Sequence, residues 1–276
     1  MDTPQIDLDA YLERIGYAGP RAPSLDTLRR LHELHPVAIP FENLSPFVGH
    51  EVPLDLPSIE RKLVHDRRGG YCFEHNLLLL DVLRQLGFHA SGLAARVLWN
   101  QPEHAITARG HMLLRVELDG TPYLVDVGFG GQTLTAPLRL DERTVQDTPH
   151  ESFQVVDDDD CTLLLRSQIR GTWKTLYRFD LAPAFLADYE VTNYFLSTHP
   201  HSHFRTRLIA ARVVPGRRFA LSGAKLSVHP LVGESQVREL RNADDVIEVL
   251  EETFGIRTTG IPSLEDAVSR LLGNPH

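Results

Sequence analysis

At 276 residues the chain is long enough to bury a sizeable core without disulfide or metal staples, as one large domain or two to three small ones. Its formal charge of −9, from 37 acidic and 28 basic residues, argues against the basic stripe that nucleic acids and anionic membranes require, so a small-molecule partner is expected, with neither nucleic acid nor membrane. The two cysteines, Cys72 and Cys161, show no disulfide or zinc spacing, and no stretch approaches the roughly 20 apolar residues of a membrane span; an unprocessed cytoplasmic protein, monomer or homodimer, is expected.

Residues 1–88 read as helical. Leu8, Tyr11, Leu12 and Ile15 recur at helical spacing, as do Leu25, Leu28 and Leu31 after Ser24, a candidate N-cap; Pro36 is expected to end that second helix. The run Arg68-Gly69-Gly70-Tyr71-Cys72-Phe73-Glu74-His75-Asn76 then places a cysteine between a glycine turn and an apolar helical stretch, Phe73, Leu77, Leu80 and Leu83, that stops at Gly87. A thiol there meets the positive end of the helix dipole beside Arg67 and Arg68, which favours thiolate and marks Cys72 as a nucleophile rather than a buried structural cysteine.

From Gly92 the period changes to two, with strands expected at 92–99, 111–118, 123–127, 152–156, 161–169 and 172–179 and turns at Asp119-Gly120 and Arg170-Gly171. If Asp119-Gly120 is a two-residue hairpin turn, Leu118 pairs with Thr121 and each later pair of residue numbers sums to 239. Pro122 then falls opposite Glu117 at a position that needs no N–H, and Leu113 faces Asp126. His111 and Asp126 become diagonal neighbours on one face, within side-chain hydrogen-bonding range.

Cys72, His111 and Asp126 have the residue types of a nucleophile, its base and the group that orients the base, although sequence alone does not bring Cys72 to His111. Gly128-Phe129-Gly130-Gly131 ends the Asp126 strand and lets backbone amides approach an anionic or carbonyl group, or is a plain strand-ending turn. His199-Pro-His-Ser-His203 lacks partners for a metal and is read as a solvated loop, so no metal is expected. Asp157 to Asp160 is read as a hairpin tip and Cys161 as a strand residue. Past residue 195 strands and helices mix: Val246, Leu250 and Phe254 mark one helix, and Ser263 with Asp266 a capping box for another.

The string RGGYCFEHN, with Pro40-Phe41-Glu42-Asn43-Leu44 upstream, His111 thirty-nine residues after Cys72, and Asp126 in DVGFGG, closely resembles the arylamine N-acetyltransferase family. The resemblance implies an α+β fold: an N-terminal helical bundle (1–88) carrying the nucleophile, a central antiparallel β-barrel-like domain (89–195) carrying His111 and Asp126, and a C-terminal α/β lid (196–276), around a papain/transglutaminase-like catalytic core. It implies a Cys72-His111-Asp126 triad, and transfer of acetyl from acetyl-CoA through a Cys72 thioester to an arylamine or arylhydrazine.

It also implies an acceptor pocket at Phe41, Val97, Phe129 and Phe204, and CoA contacts at Trp99 and at Gly128, Phe129, Gly130 and Gly131. Arg68 and Glu42 are similar to a structural ion pair. One departure is Gly110, which stands where many relatives carry a hydroxyl and offers CoA no side-chain contact. The rivals are a cysteine hydrolase, transglutaminase-like enzyme or amide-forming acyltransferase using another donor on the same triad, and a catalytically silent small-molecule binding module.

Overall fold

A computed structural model describes residues 4–159 and 161–273. The side chains of Asp7 and Ser24 accept the amides of Ala10 and Thr27 and so start α1 (Leu8–Ile15) and α2 (Leu25–Ala38). The stop expected at Pro36 is overturned: α2 runs on to Ala38. A proline in the last turn forfeits one intrahelical bond, to the His32 carbonyl, and Ile39 N–H still reaches His35. After β1 (Phe41–Glu42), α3 (Leu44–Phe47), α4 (Leu56–Glu60) and a π-turn at Arg61–His65 comes α5 (Cys72–Gln85), buried on every side from Cys72 to Leu80. Gly87, at φ +85°, closes it by donating to the Arg84 carbonyl.

The central strands are β2 (His89–Val97), β3 (His111–Leu118), β4 (Thr121–Val125), β5 (Leu138–Arg139), β6 (Gln146–Asp147), β7 (Ser152–Asp157), β8 (Leu163–Ile169) and β9 (Thr172–Phe179). They form an antiparallel sheet in the order β5-β4-β3-β2-β9-β8-β7-β6, curled into a nearly closed barrel around Leu93, Leu113, Leu124, Phe153, Leu165 and Tyr177. Asp119 and Gly120, at φ 49° and 77°, make the expected two-residue turn, and the pairs Leu118 with Thr121 through Leu114 with Val125 keep the sum of 239. Cys161 is not a strand residue: it is exposed at φ 61° in the turn before β8, where the Asp158 amide closes onto the Thr162 carbonyl. Asp160 of the same tip lies outside the described residues.

The chain continues through α6 (Leu186–Thr198), α7 (His203–Thr206), β10 (Ile209–Val214), β11 (Arg217–Ser222), β12 (Lys225–Pro230), β13 (Gln236–Glu239), α8 (Ala243–Glu248), a π-turn at Val249–Thr253, and α9 (Leu264–Gly273). β1 joins this second sheet, in the order β1-β10-β11-β12-β13, with Phe41 opposite Ala211. Val246, Leu250 and Phe254 fill its core beside Leu44. The Ser263 capping box is overturned as well: Ser263 sits at φ 60° instead of the extended conformation of a capping residue, and its carbonyl accepts the Ala267 amide. Among the described residues no helix is long and apolar enough to cross a membrane.

Candidate active site

Cys72 is held by the turn before it. A Cβ on Gly69 would lie 2.0 Å from the Pro40 carbonyl oxygen, so only glycine lets the Arg68–Tyr71 turn lie against β1. There Glu42 N–H donates to the Gly70 carbonyl at 2.8 Å. The Arg68 guanidinium meets the buried Glu42 carboxylate at 2.7 Å, as the expected structural pair, and Leu44 N–H donates to the other oxygen. Burial pushes the Glu42 carboxyl up, but Arg68 and then Lys62 outweigh it and hold it below its ordinary value. Glu74 reaches back to the Tyr71 amide at 3.0 Å and pairs with Lys62 at 2.7 Å; for it burial wins and raises the carboxyl. Cys72 then opens α5, 4% exposed, where the helix dipole points its positive end.

His111 and Asp126 face each other as the hairpin register requires, His111 Nε2 donating to Asp126 Oδ2 at 2.7 Å. Both are buried. Asp126 accepts three more bonds: from Gly128 N–H at 3.0 Å, Asn76 Nδ2–H at 3.1 Å and Tyr177 O–H at 3.1 Å. Burial would lift its carboxyl, yet the imidazole and these donors hold it below its ordinary value. Burial would likewise lower the His111 imidazole, but Asp126, with help from the Cys72 side chain, raises it to about 10. Nε2 is committed to Asp126, which leaves Nδ1 as the nitrogen free to exchange a proton with Cys72. The Cys72 thiol lies 3.7 Å from the Gly110 carbonyl oxygen, next to His111 in the chain.

The β3–β4 ladder ends one step before Asp126, and Asn76 is the reason. Met112 and Val127, whose numbers also sum to 239, are next in line to exchange main-chain bonds. Instead the Asn76 carboxamide stands between the strands, donating to the Met112 carbonyl at 2.8 Å and accepting from Val127 N–H at 3.3 Å. The opened strands leave room for the carboxylate. Behind them His32 Nε2 accepts the Asp126 amide at 3.1 Å, and burial lowers that imidazole to about 4. Asn76, Tyr177 and His32 carry no site role in the sequence reading. Asn76 had a signal: it lies four residues after Cys72, on the same face of α5. Tyr177, on β9, had none.

Phe41 and Phe204 meet with ring centroids 6.1 Å apart, and Phe204 packs edge-on against Tyr71 at 5.2 Å. Phe129 stands edge-on to His111 at 5.1 Å and packs with Trp99 against the barrel core. Val97 ends β2 opposite Tyr177. Gly128 is pressed against Cys72: a Cβ there would lie 2.8 Å from Cys72 Cα. Gly130, at φ +74°, turns toward Phe41, and Gly131 faces open space. The histidines at 199, 201 and 203 are all exposed, and among the described residues no group of three or more His, Cys, Asp or Glu side chains could hold a metal ion.

The N-acetyltransferase family model matches residues 24–261. The arylamine N-acetyltransferase of Mycobacterium tuberculosis is 44% identical over 276 residues, covering 97% of this chain and 96% of that protein. The structure of Mycobacterium marinum arylamine N-acetyltransferase superposes with a TM-score of 0.93 at 42% identity, over 96% of this chain and 100% of that one. The same Mycobacterium marinum enzyme in complex with CoA gives 0.92 at 42% identity, over 96% and 99%.

Proposed function

The chain belongs to the arylamine N-acetyltransferase family and is an acyltransferase that uses acetyl-CoA, and we propose that Cys72, His111 and Asp126 carry the acetyl group to an arylamine or arylhydrazine. Cys72 Sγ attacks the thioester carbonyl of acetyl-CoA while its proton passes to His111 Nδ1. The tetrahedral intermediate collapses, the CoA sulfur leaves with the proton from His111, and Cys72 keeps the acetyl group as a thioester. The amine then attacks that thioester, His111 takes the proton lost by nitrogen, and the Cys72 thiol is regenerated. Asp126 holds the imidazole in one tautomer and stabilises its charged form. One observation carries this reading: a buried carboxylate bound to His111 Nε2 at 2.7 Å, with the imidazole raised to about 10 by Asp126 and the Cys72 side chain.

Phe41, Val97, Phe129 and Phe204 are the proposed walls of the acceptor pocket, where a flat ring packs on aromatic faces. Trp99 and the Gly128–Gly131 turn are the proposed CoA contacts, Gly130 and Gly131 carrying the accessible amides and Gly128 the close fit to Cys72. The proposed division at 1–88, 89–195 and 196–276 has a core inside the barrel and a core in the C-terminal sheet that also takes Leu44, Phe47 and Val48, while the helical core extends past residue 88 to Met112, Leu114, Val116 and Val125 on the other face of β3 and β4 and to Val127 just beyond them. A reducing cytoplasm is the proposed compartment, since both cysteines are free and the chemistry needs one of them as a thiol.

The test is intact mass after mixing the protein with acetyl-CoA and no acceptor, for wild type and Cys72→Ala. One acetyl gained by wild type alone, and discharged by an aromatic amine or hydrazine, supports the reading. Equal masses with and without acetyl-CoA reject it and leave a hydrolase or a silent binding module.

A further inference from the structure

Arg218, on β11 of the C-terminal sheet, is 2% exposed and is the largest of the buried side chains among the described residues. Its guanidinium meets the Glu151 carboxylate at 2.6 Å. It also donates to the Thr133 carbonyl at 3.0 Å and the Gly131 carbonyl at 3.4 Å. Both carbonyls belong to the short turn that follows Asp126 and Phe129. We propose that Arg218, backed by Glu151, is a positioning residue for the acyl donor: it fixes the peptide plane that joins Gly131 to Gln132, so that the Gln132 amide joins those of Gly130 and Gly131 in facing the diphosphate of CoA. The proposal rests on the reading of Gly128–Gly131 as the donor turn.

Peptide geometry supplies the first step. A trans peptide points its C=O and N–H in opposite directions, so a Gly131 carbonyl aimed at Arg218 aims the Gln132 amide away from it. The backbone supplies the second. Phe129, at φ −79° and ψ 4°, is followed by Gly130 at φ +74°, a right-handed then left-handed succession that gathers N–H groups on one side as an anion-binding concavity; the Phe129 N–H is taken by the Thr133 hydroxyl at 3.4 Å, which leaves those of Gly130 and Gly131. Space is also left beside the turn, where a Cβ on Gly131 would meet nothing within 4 Å. Energetics supplies the third. A buried guanidinium carries a large desolvation penalty, and apolar packing would join sheet to turn without it. Apolar packing would not set the direction of two carbonyls. A planar fork with several donors does, and a lysine would not reproduce it.

The experiment compares Arg218→Lys, Arg218→Met and Glu151→Gln with wild type, with two donors and one ligand. CoA affinity is read by calorimetry, acetylation of Cys72 by intact mass, and folding by thermal melts. Acetyl-CoA carries the diphosphate, whereas p-nitrophenyl acetate delivers the same acetyl group without it. Misdirecting one charge-assisted amide contact is expected to raise the CoA dissociation constant and the acetyl-CoA KM about tenfold in the Arg218 variants. Acetylation by p-nitrophenyl acetate should stay at the wild-type rate. Equal loss with both donors, or unchanged CoA affinity, overturns the proposal. Should the Arg218 variants fail to melt cooperatively, Glu151→Gln decides, because it keeps the guanidinium and loosens its support: weaker CoA binding sustains the proposal and wild-type affinity rejects it. If acyl transfer itself were wrong, wild-type protein would gain acetyl from neither donor, and the calorimetry would still judge Arg218.

Discussion

Replacing Asp126 by asparagine changes one atom in a site where every partner is a donor. Oδ2 receives His111 Nε2–H at 2.7 Å and the Tyr177 hydroxyl at 3.1 Å, while Oδ1 receives the Gly128 amide at 3.0 Å and Asn76 Nδ2–H at 3.1 Å. An asparagine must turn its own NH2 toward one of these pairs. The Gly128 amide cannot reverse, so the NH2 faces His111 and Tyr177, where a hydroxyl rotates freely and an imidazole shifts its proton from Nε2 to Nδ1. In that tautomer Nδ1 no longer accepts a proton from Cys72. The charge goes too. Asp126 opposes burial and, with the Cys72 side chain, holds His111 at about 10 rather than 6.5, and that difference is worth about 5 kcal/mol. Acetylation of Cys72 should therefore slow by about three to four orders of magnitude. The assay is single-turnover release of CoA thiol from acetyl-CoA across pH 6 to 9, with circular dichroism to establish that the variant is folded. A rate within about tenfold of wild type would remove Asp126 from the mechanism.

Cys72 is buried and Cys161 exposed, so simple access favours alkylation of Cys161 by iodoacetamide. A thiol whose proton His111 accepts should reverse that order at pH 7, and His111→Asn should restore it; faster labelling of Cys161 in wild type would count against the triad. Asn76→Ala removes the amide that bridges Met112 and Val127, and should cost about 1–3 kcal/mol and lower activity, with Asn76→Gln failing to rescue because its longer side chain does not fit between the strands; wild-type turnover in the alanine variant would refute this. Gly128→Ala places a methyl 2.8 Å from Cys72 Cα and should abolish acetylation while the rest of the fold melts cooperatively, a result checked by intact mass and calorimetry. Stability should fall in acid through His32 and His75, which burial lowers to about 4. Their folded values lie below the ordinary 6.5, so the unfolded chain binds the protons first, and about 3 kcal/mol each is lost as pH falls from 6.5 to 4. His111 is raised and acts with the opposite sign, its contribution present below 6.5 and lost as pH climbs toward 10. Urea midpoints that match at pH 7 and pH 4.5 would contradict the acid limb.

What the sequence made legible was local. Asp7 and Ser24 announce their helices because a capping side chain needs only an amide two or three residues on. Asp119-Gly120 fixes the hairpin because a two-residue turn admits one register, and that register carries Asp126 to His111 with no knowledge of the rest of the fold. The misreadings were also local rules, overridden by context. Pro36 sits in a last turn with one bond to lose, and Cys161 and Ser263 take left-handed turn positions that composition does not mark.

What stayed hidden depends on how distant segments pack. Phe41 reaches Phe204 because β1 crosses into the C-terminal sheet beside Ala211, a pairing across 170 residues with no local trace. The distance from Cys72 to His111 was hidden in the same way, since it depends on how α5 lies on β3. Yet α5 settles that distance and the carboxylate together. Its first residue presents the thiol, and one turn later Asn76 replaces the main-chain bonds between Met112 and Val127 and donates to Asp126. Sliding α5 along the sheet would move Cys72 and close the gap that holds the Asp126 carboxylate in one motion. The helix therefore positions Cys72 and Asp126 through a single packing contact, and it explains why an asparagine stands among the leucines of a helix buried on every side as far as Leu80, where an unpaired carboxamide would be costly.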